Sequence, residues 1–139
     1  MRTLIFSLTI LAFAPWAAVP AAGAAELQPE QTAHPGTVAL VQYGDDWVYV
    51  HAETSLRLYV FDEDPPGKST CNAGCAAAWP PLFIDREDAP ETLGFWSIIK
   101  RDDGRRQWAY KDRPVYLRYH DSLQKPVGLG YEGWNFLEP

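Results

Sequence analysis

Cys71 and Cys75 are the residues of this 139-residue chain whose type and spacing point most directly to chemistry. Two thiols at the start of a helical turn could form a redox pair, because a helix N-terminus lowers a thiol's pKa and favours the nucleophilic thiolate. Their spacing, however, is C-x-x-x-C, whereas thioredoxin-like sites use C-x-x-C within an alternating βαβ pattern that this chain lacks. One turn of helix also brings two Cα atoms within bridging range, so a structural disulfide is the favoured reading. It would be a local staple, closing a short loop for about 2 kcal/mol. Covalent haem would require C-x-x-C-H, and Ala76 follows the second cysteine.

Other candidate chemistry is weaker. Asp62, Glu63, Asp64 and Gly67 form an acidic turn whose oxygens suit Ca²⁺. Pro66 stands where an EF-hand loop would place its third acidic ligand and no closing glutamate follows, so these acids are read as shaping the turn. His34, His51 and His120 are the three histidines, and a two-histidine metal site would require the halves of the chain to face each other. No serine or cysteine lies in a nucleophile elbow, and Gly128-x-Gly130 lacks the helix and lysine of a phosphate loop. No metal and no cofactor is therefore expected, and no catalytic constellation is recognisable. Five of the six tryptophans (Trp47, Trp79, Trp96, Trp108, Trp134) and the seven tyrosines read mostly as core and rim, with some available to stack on a sugar or a partner.

The elements that must position these residues follow from patterning. Residues 57–62 read as a strand with large apolar groups on both faces, Leu58 and Val60 on one, Tyr59 and Phe61 on the other, as a central strand requires. Pro65, Pro66 and Gly67 break it. Ser69 or Thr70 can cap a short helix over residues 70–78, which the alanine run favours and Pro80 ends. Upstream, residues 37–43 and 46–52 flank Gly44-Asp45 as a hairpin, and with the 57–62 strand they suggest an antiparallel meander. Downstream, residues 94–101 and 105–111 flank Asp102-Asp103-Gly104, the clearest hairpin signal in the chain. Asp112-Arg113-Pro114 is read as the next turn, and strands follow at residues 115–119 and 131–137.

Residues 1–25 read as a cleaved signal peptide: Arg2, an apolar run over residues 4–14 too short to span a bilayer, then Ala22 and Ala24. Residues 26–36, with Pro29 and Pro35 and no periodicity, read as a flexible N-terminal arm. Residues 37–139 then form a single β-rich domain. The chain carries a net charge of −6, and loss of Arg2 makes the exported part more acidic still. Nucleic acid and anionic membranes are poor partners for such a surface. No cysteine sits at the processing site, so the product is expected to be soluble and periplasmic or secreted, without a membrane anchor. An exported chain with two cysteines most simply has one disulfide.

A weak internal repeat links the halves, about 37–92 and 93–139. Tyr59-x-Phe61-x-x-Asp64 is echoed by Tyr116-x-Arg118-x-x-Asp121, and Trp79 and Trp134 follow at similar distances. These motifs, with Pro-Gly-Lys-Ser, Cys71 and Cys75, Ala-Ala-Ala-Trp-Pro-Pro-Leu and the later Asp-Asp-Gly, Gln-Trp-Ala-Tyr, Arg-Pro-Val-Tyr and Gly-Trp, resemble the family of bacterial secreted repeats and predicted lipoproteins marked by Y-x-[FWY]-x-x-D. The resemblance implies an exported, repeat-built protein of unassigned role. Arg118 departs from it at an aromatic position, which bears on any paired, symmetric site, and the lipid-attachment cysteine is missing.

The expected architecture is mainly β: two related antiparallel units forming one compact domain, with one short helix. The expected function is a non-catalytic extracytoplasmic binding or accessory module whose partner is an unknown protein or envelope component. Tyr59, Phe61, Asp64, Tyr116 and Asp121 would support its fold. The alternative is a periplasmic redox or electron-transfer accessory protein using Cys71 and Cys75 or a bound metal or haem.

Overall fold

The computed structural model describes residues 26–84, 86–122 and 125–139, so the signal peptide expected over residues 1–25 lies outside the described residues. Two antiparallel sheets carry the chain. The smaller is the expected hairpin of β1 (Val38–Tyr43) and β2 (Asp46–His51), turned at Gly44-Asp45 with Gly44 at φ +64°. A hairpin turn that begins with a positive φ favours glycine there.

The larger sheet has six strands: β3 (Tyr59–Phe61), β4 (Thr92–Leu93), β5 (Trp96–Lys100), β6 (Arg106–Tyr110), β7 (Arg113–Tyr116) and β8 (Trp134–Phe136). Their order is β4-β5-β6-β7-β3-β8. β3 thus lies between β7 and β8 and does not continue a meander from β2, which instead bridges through Val50 to Arg57, two residues before β3. The reason is the two-sided hydrophobicity of β3, since a strand apolar on both faces is best buried with neighbours on both edges. The larger sheet therefore takes strands from both halves of the sequence. Leu58 and Val60 join one core cluster with Val38, Tyr49, Trp96, Trp108, Val115 and Leu137, while Tyr59 joins a second with Cys71, Trp79, Tyr116 and Trp134.

Several local boundaries differ from the sequence reading. Within the segment expected as an arm, α1 (Pro29–Thr32) makes one turn, with Pro29 in its first turn and the Gln31 side chain accepting from the Gln28 N–H at 2.7 Å. The Tyr49 hydroxyl donates to the Gln31 carbonyl, fastening this turn to β2. The second helix, α2, spans Gly74–Ala78 and not 70–78. Ser69 and Thr70 do not cap it because their hydroxyls are taken elsewhere, Thr70 by Asp64 within the same loop and Ser69 by Arg101 across the fold. Lys111 and Asp112, both at positive φ, make the β6–β7 turn, so Arg113 and Pro114 belong to β7. Trp79-Pro-Pro-Leu, expected only as a terminator, runs beside β7: the Leu117 N–H donates to the Pro80 carbonyl and the Leu82 N–H to the Val115 carbonyl. The prolines are tolerated because their missing N–H groups are not needed for these bonds.

Candidate functional site

Tyr59 and Tyr116 are direct partners where β3 pairs with β7. Both rings are wholly buried. A buried phenol hydroxyl needs a partner, and each finds it in the other half of the chain. Tyr59 donates to Asp121 Oδ2 at 2.5 Å, and Tyr116 donates to Asp64 Oδ2 at 2.6 Å. The other oxygen of each carboxylate serves its own loop: Asp64 Oδ1 accepts from the Thr70 N–H and Asp121 Oδ1 from the Val127 N–H, in both cases six residues on. The two motifs therefore exchange partners, each supplying a tyrosine to the other's aspartate.

The flanking contacts repeat in the same way. The Asp62 N–H donates to the Gly133 carbonyl as the Tyr119 N–H does to Ala78, and the Leu137 N–H donates to Leu58 as the Leu82 N–H does to Val115. Trp79 and Trp134 stack in parallel with centroids 3.7 Å apart. Equivalent residues that touch each other lie on the axis relating two copies, so the Tyr59–Tyr116 and Trp79–Trp134 pairs mark a local pseudo-two-fold.

Arg118 shows how a departure from the motif is absorbed. Phe61 stacks on Trp134 at 4.6 Å, and the guanidinium of Arg118 lies over Trp79 at 4.8 Å. It also sits 4.7 Å from the Tyr131 centroid and donates to the Ala78 carbonyl at 2.8 Å. A cation over an aromatic face replaces ring stacking, so the arrangement stays symmetric in position but not in chemistry.

The Tyr116 hydroxyl also meets Ser69 Oγ at 2.7 Å. Its one proton goes to the Asp64 carboxylate, so the serine proton points to the phenol oxygen. Ser69 Oγ in turn accepts from Arg101 at 2.7 Å. Arg101 is only 4% exposed and also donates to Gln107 Oε1 (2.7 Å), the Cys71 carbonyl (2.6 Å) and Asn72 Oδ1 (3.1 Å). Gln107 donates onward to the Val115 carbonyl of β7. Arg101 thus ties the cysteine-bearing loop to the sheet. Cys71 and Cys75 are bonded to each other, with Cα atoms 5.2 Å apart. The second copy has no counterpart of this staple: after Val127 comes Gly128, where a Cβ would overlap the Tyr59 ring.

Burial pushes the Tyr59 and Tyr116 hydroxyls well above the usual phenol range, and the hydrogen bonds to Asp121 and Asp64 add to it. Both remain protonated donors at any physiological pH. Of the acidic turn, Asp62 is taken by Arg113 and Asn135 and Asp64 by Thr70 and Tyr116. The histidines are engaged separately: His34 near the Pro35 carbonyl, His51 on Thr54 and His120 against the Tyr119 ring. Among the described residues no three His, Cys, Asp or Glu side chains gather as metal ligands, and no helix is long and apolar enough to cross a membrane.

The structure thus brings Tyr59, Asp64, Tyr116 and Asp121 into two linked pairs, with Phe61 beside them. Arg101 and Gln107 belong to the same network and do not stand out in the sequence, while Ser69, expected as a helix cap, joins them instead. The one signal for Arg101 is that, just past the end of β5, it continues the alternation two residues beyond buried Ile99.

Residues 97–135 match the sequence model of a family described as a secreted repeat of unknown function. That span runs from β5 into β8 and contains Tyr116, Arg118 and Asp121. No curated protein and no solved structure matches the chain.

Proposed function

We propose that this chain, carrying a secreted repeat over residues 97–135, is a non-catalytic extracytoplasmic module that binds or supports an unidentified protein or envelope component. The reciprocal exchange of Tyr59 and Tyr116 between Asp121 and Asp64 carries the reading. Side chains that would serve as acid, base or nucleophile in an enzyme here have their polar atoms committed to one another. None of the four lines the cavities bordered by Leu93, Gly104, Leu82, Trp47 or Val60. The motif therefore works as a clasp between repeats, and recognition falls to the surface it supports. Cys71, 1% exposed and packed in the same cluster, acts as a staple and not as an attacking thiol.

The test is Tyr59→Phe, which deletes one hydroxyl and leaves a buried carboxylate oxygen short of a partner. Stability should fall by about 1.5–3 kcal/mol, as for a bond to a charged group. Reduction of the disulfide should need a potential well below that of catalytic disulfides. Unchanged stability, or ready reduction by mild dithiol, contradicts the reading and favours a redox accessory role.

A further inference from the structure

We propose that the outer edge of β1 is a recognition surface whose partner is an extended segment of another protein, added as an antiparallel strand with a basic residue at its N-terminal end. The pseudo-symmetry indicates what such an edge takes. Val50 faces Arg57, two residues before Tyr59, as Ala109 faces Pro114, two residues before Tyr116, and Ala39 pairs with Val50 as Ser97 pairs with Ala109. β1 is therefore the counterpart of β5. In each copy the chain turns tightly just before the strand: the Val38 N–H donates to the Pro35 carbonyl, and Leu93 pairs with Trp96. Beyond that turn the copies part. Upstream of β5 the chain runs back along it as β4, with Thr92 beside Ser97 and the Ile98 N–H donating to the Glu91 carbonyl at 3.1 Å. Upstream of Pro35 it leaves for α1, which is held by Tyr49 and lies against Gly94. Among the described residues no strand fills the place beside β1 that corresponds to β4.

The backbone groups on that edge follow from the ladder. The His51 N–H turns away from β1 to the Leu56 carbonyl while the Ala52 N–H donates to Thr37, so by antiparallel alternation Val38, Leu40 and Gln42 point their N–H and C=O groups outward. Pro35 takes the Val38 N–H, and the outward groups of Leu40 and Gln42 have no partner among the described residues. Nothing blunts the edge: Val38–Tyr43 carries neither charge nor proline, whereas β5 ends in Lys100. Such an edge is a template for strand addition, in which main-chain bonds supply the affinity. A second copy of β1 fits it poorly. Pairing Leu40 with the other copy's Gln42 brings that copy's Gly44 turn against Val38, where Pro35 already stands. A short separate segment has no such turn to accommodate. Because it runs antiparallel to β1, its N-terminal end lies beside Asp45 and Asp46, both exposed in a chain of net charge −6, and a lysine or arginine there is complementary. Tyr43, 49% exposed, offers its ring to an apolar neighbour.

This surface deepens the binding-module reading and rests on it in that the chain acts by binding a protein. The stability of Tyr59→Phe tests the clasp separately, so the two can fail independently. The experiment uses the ¹⁵N-labelled mature chain and a capped hexapeptide, Lys-Val-Thr-Val-Thr-Val, with the same peptide N-methylated at every valine and threonine as control. The Leu40 and Gln42 amide signals should shift saturably and exchange with solvent more slowly in the complex. The N-methylated peptide, which has lost its donors, should bind roughly tenfold more weakly. Gln42→Pro removes an outward N–H that β2 does not use and should weaken binding roughly fivefold; the control peptide carries the test if this variant does not fold. Asp45→Asn should weaken binding roughly twofold to threefold at low salt. An absent or non-saturable shift, shifts centred on other strands, equal binding of the two peptides, or unchanged binding to Asp45→Asn overturns the proposal. So does a concentration-dependent shift of the same amides without peptide, which would put a second copy on the edge.

Discussion

Replacing Arg101 by methionine should be among the most damaging single changes in the domain. The guanidinium donates to Ser69, Gln107, Asn72 and the Cys71 carbonyl, and its Nε also lies 3.8 Å from Asp103 Oδ2, a long ion pair with a half-exposed carboxylate. Its burial is offset by these neutral acceptors, so the bonds and the buried charge are interdependent. Methionine removes the charge but leaves Gln107 Oε1, on a fully buried side chain, and the Cys71 carbonyl without donors. At 1–3 kcal/mol for each of the two stranded groups, less the relief of the buried charge, the loss is about 2–4 kcal/mol. Arg101→Lys keeps the charge but not the planar fork, and should lose about 2 kcal/mol. Urea titration followed by tryptophan fluorescence reads both as lower midpoints at unchanged slope. A loss under about 1 kcal/mol for Arg101→Met, or a lysine variant as stable as the parent, would show that the network does not hold the loop to the sheet.

Alkali should unfold the protein early. Burial, reinforced by the hydrogen bonds, raises the Tyr59 and Tyr116 hydroxyls, and burial with the nearby Tyr110 raises Tyr49, so the folded chain keeps protons that the unfolded chain loses above about pH 10. Their contribution is complete below that pH and falls above it by up to about 1.4 kcal/mol per pH unit for each tyrosine. Melting temperature should be flat from pH 8 to 9.5 and drop steeply beyond, less steeply in Tyr59→Phe; a flat profile to pH 11.5 would refute this. Gly128→Ala should cost about 1–3 kcal/mol by forcing a methyl into the Tyr59 ring. Gly74→Ala, whose Cβ meets nothing within 4 Å, should be neutral or slightly stabilising by the same denaturation assay.

The sequence showed the repeat but not what it does. Tyr59, Asp64, Tyr116 and Asp121 stand out by spacing, but spacing does not say which tyrosine meets which aspartate. Because β3 lies between β7 and β8, each hydroxyl reaches the other copy, and no periodicity encodes which edge a strand will take. Helix α2 starts late for a related reason: Ser69 and Thr70 have the side chains of good caps, but Arg101 and Tyr116 claim Ser69 from a distance and Asp64 holds Thr70 within the loop. Pro80 and Pro81 mark a helix end correctly and still lie along β7, since a strand neighbour can pair through its carbonyls. The two-sided apolar pattern of β3 and the Asp102-Asp103-Gly104 hairpin depend on local sequence alone, and both could be read directly.

The most direct measurement is a set of double-mutant cycles on the four clasp residues, combining Tyr59→Phe or Tyr116→Phe with Asp64→Ala or Asp121→Ala and reading stability in urea. The exchange predicts coupling of about 1–2 kcal/mol for Tyr59 with Asp121 and for Tyr116 with Asp64, and near-additivity, within about 0.5 kcal/mol, for the two pairs inside one motif. Stronger coupling of Tyr59 to Asp64 than to Asp121 would mean that the repeats do not clasp each other.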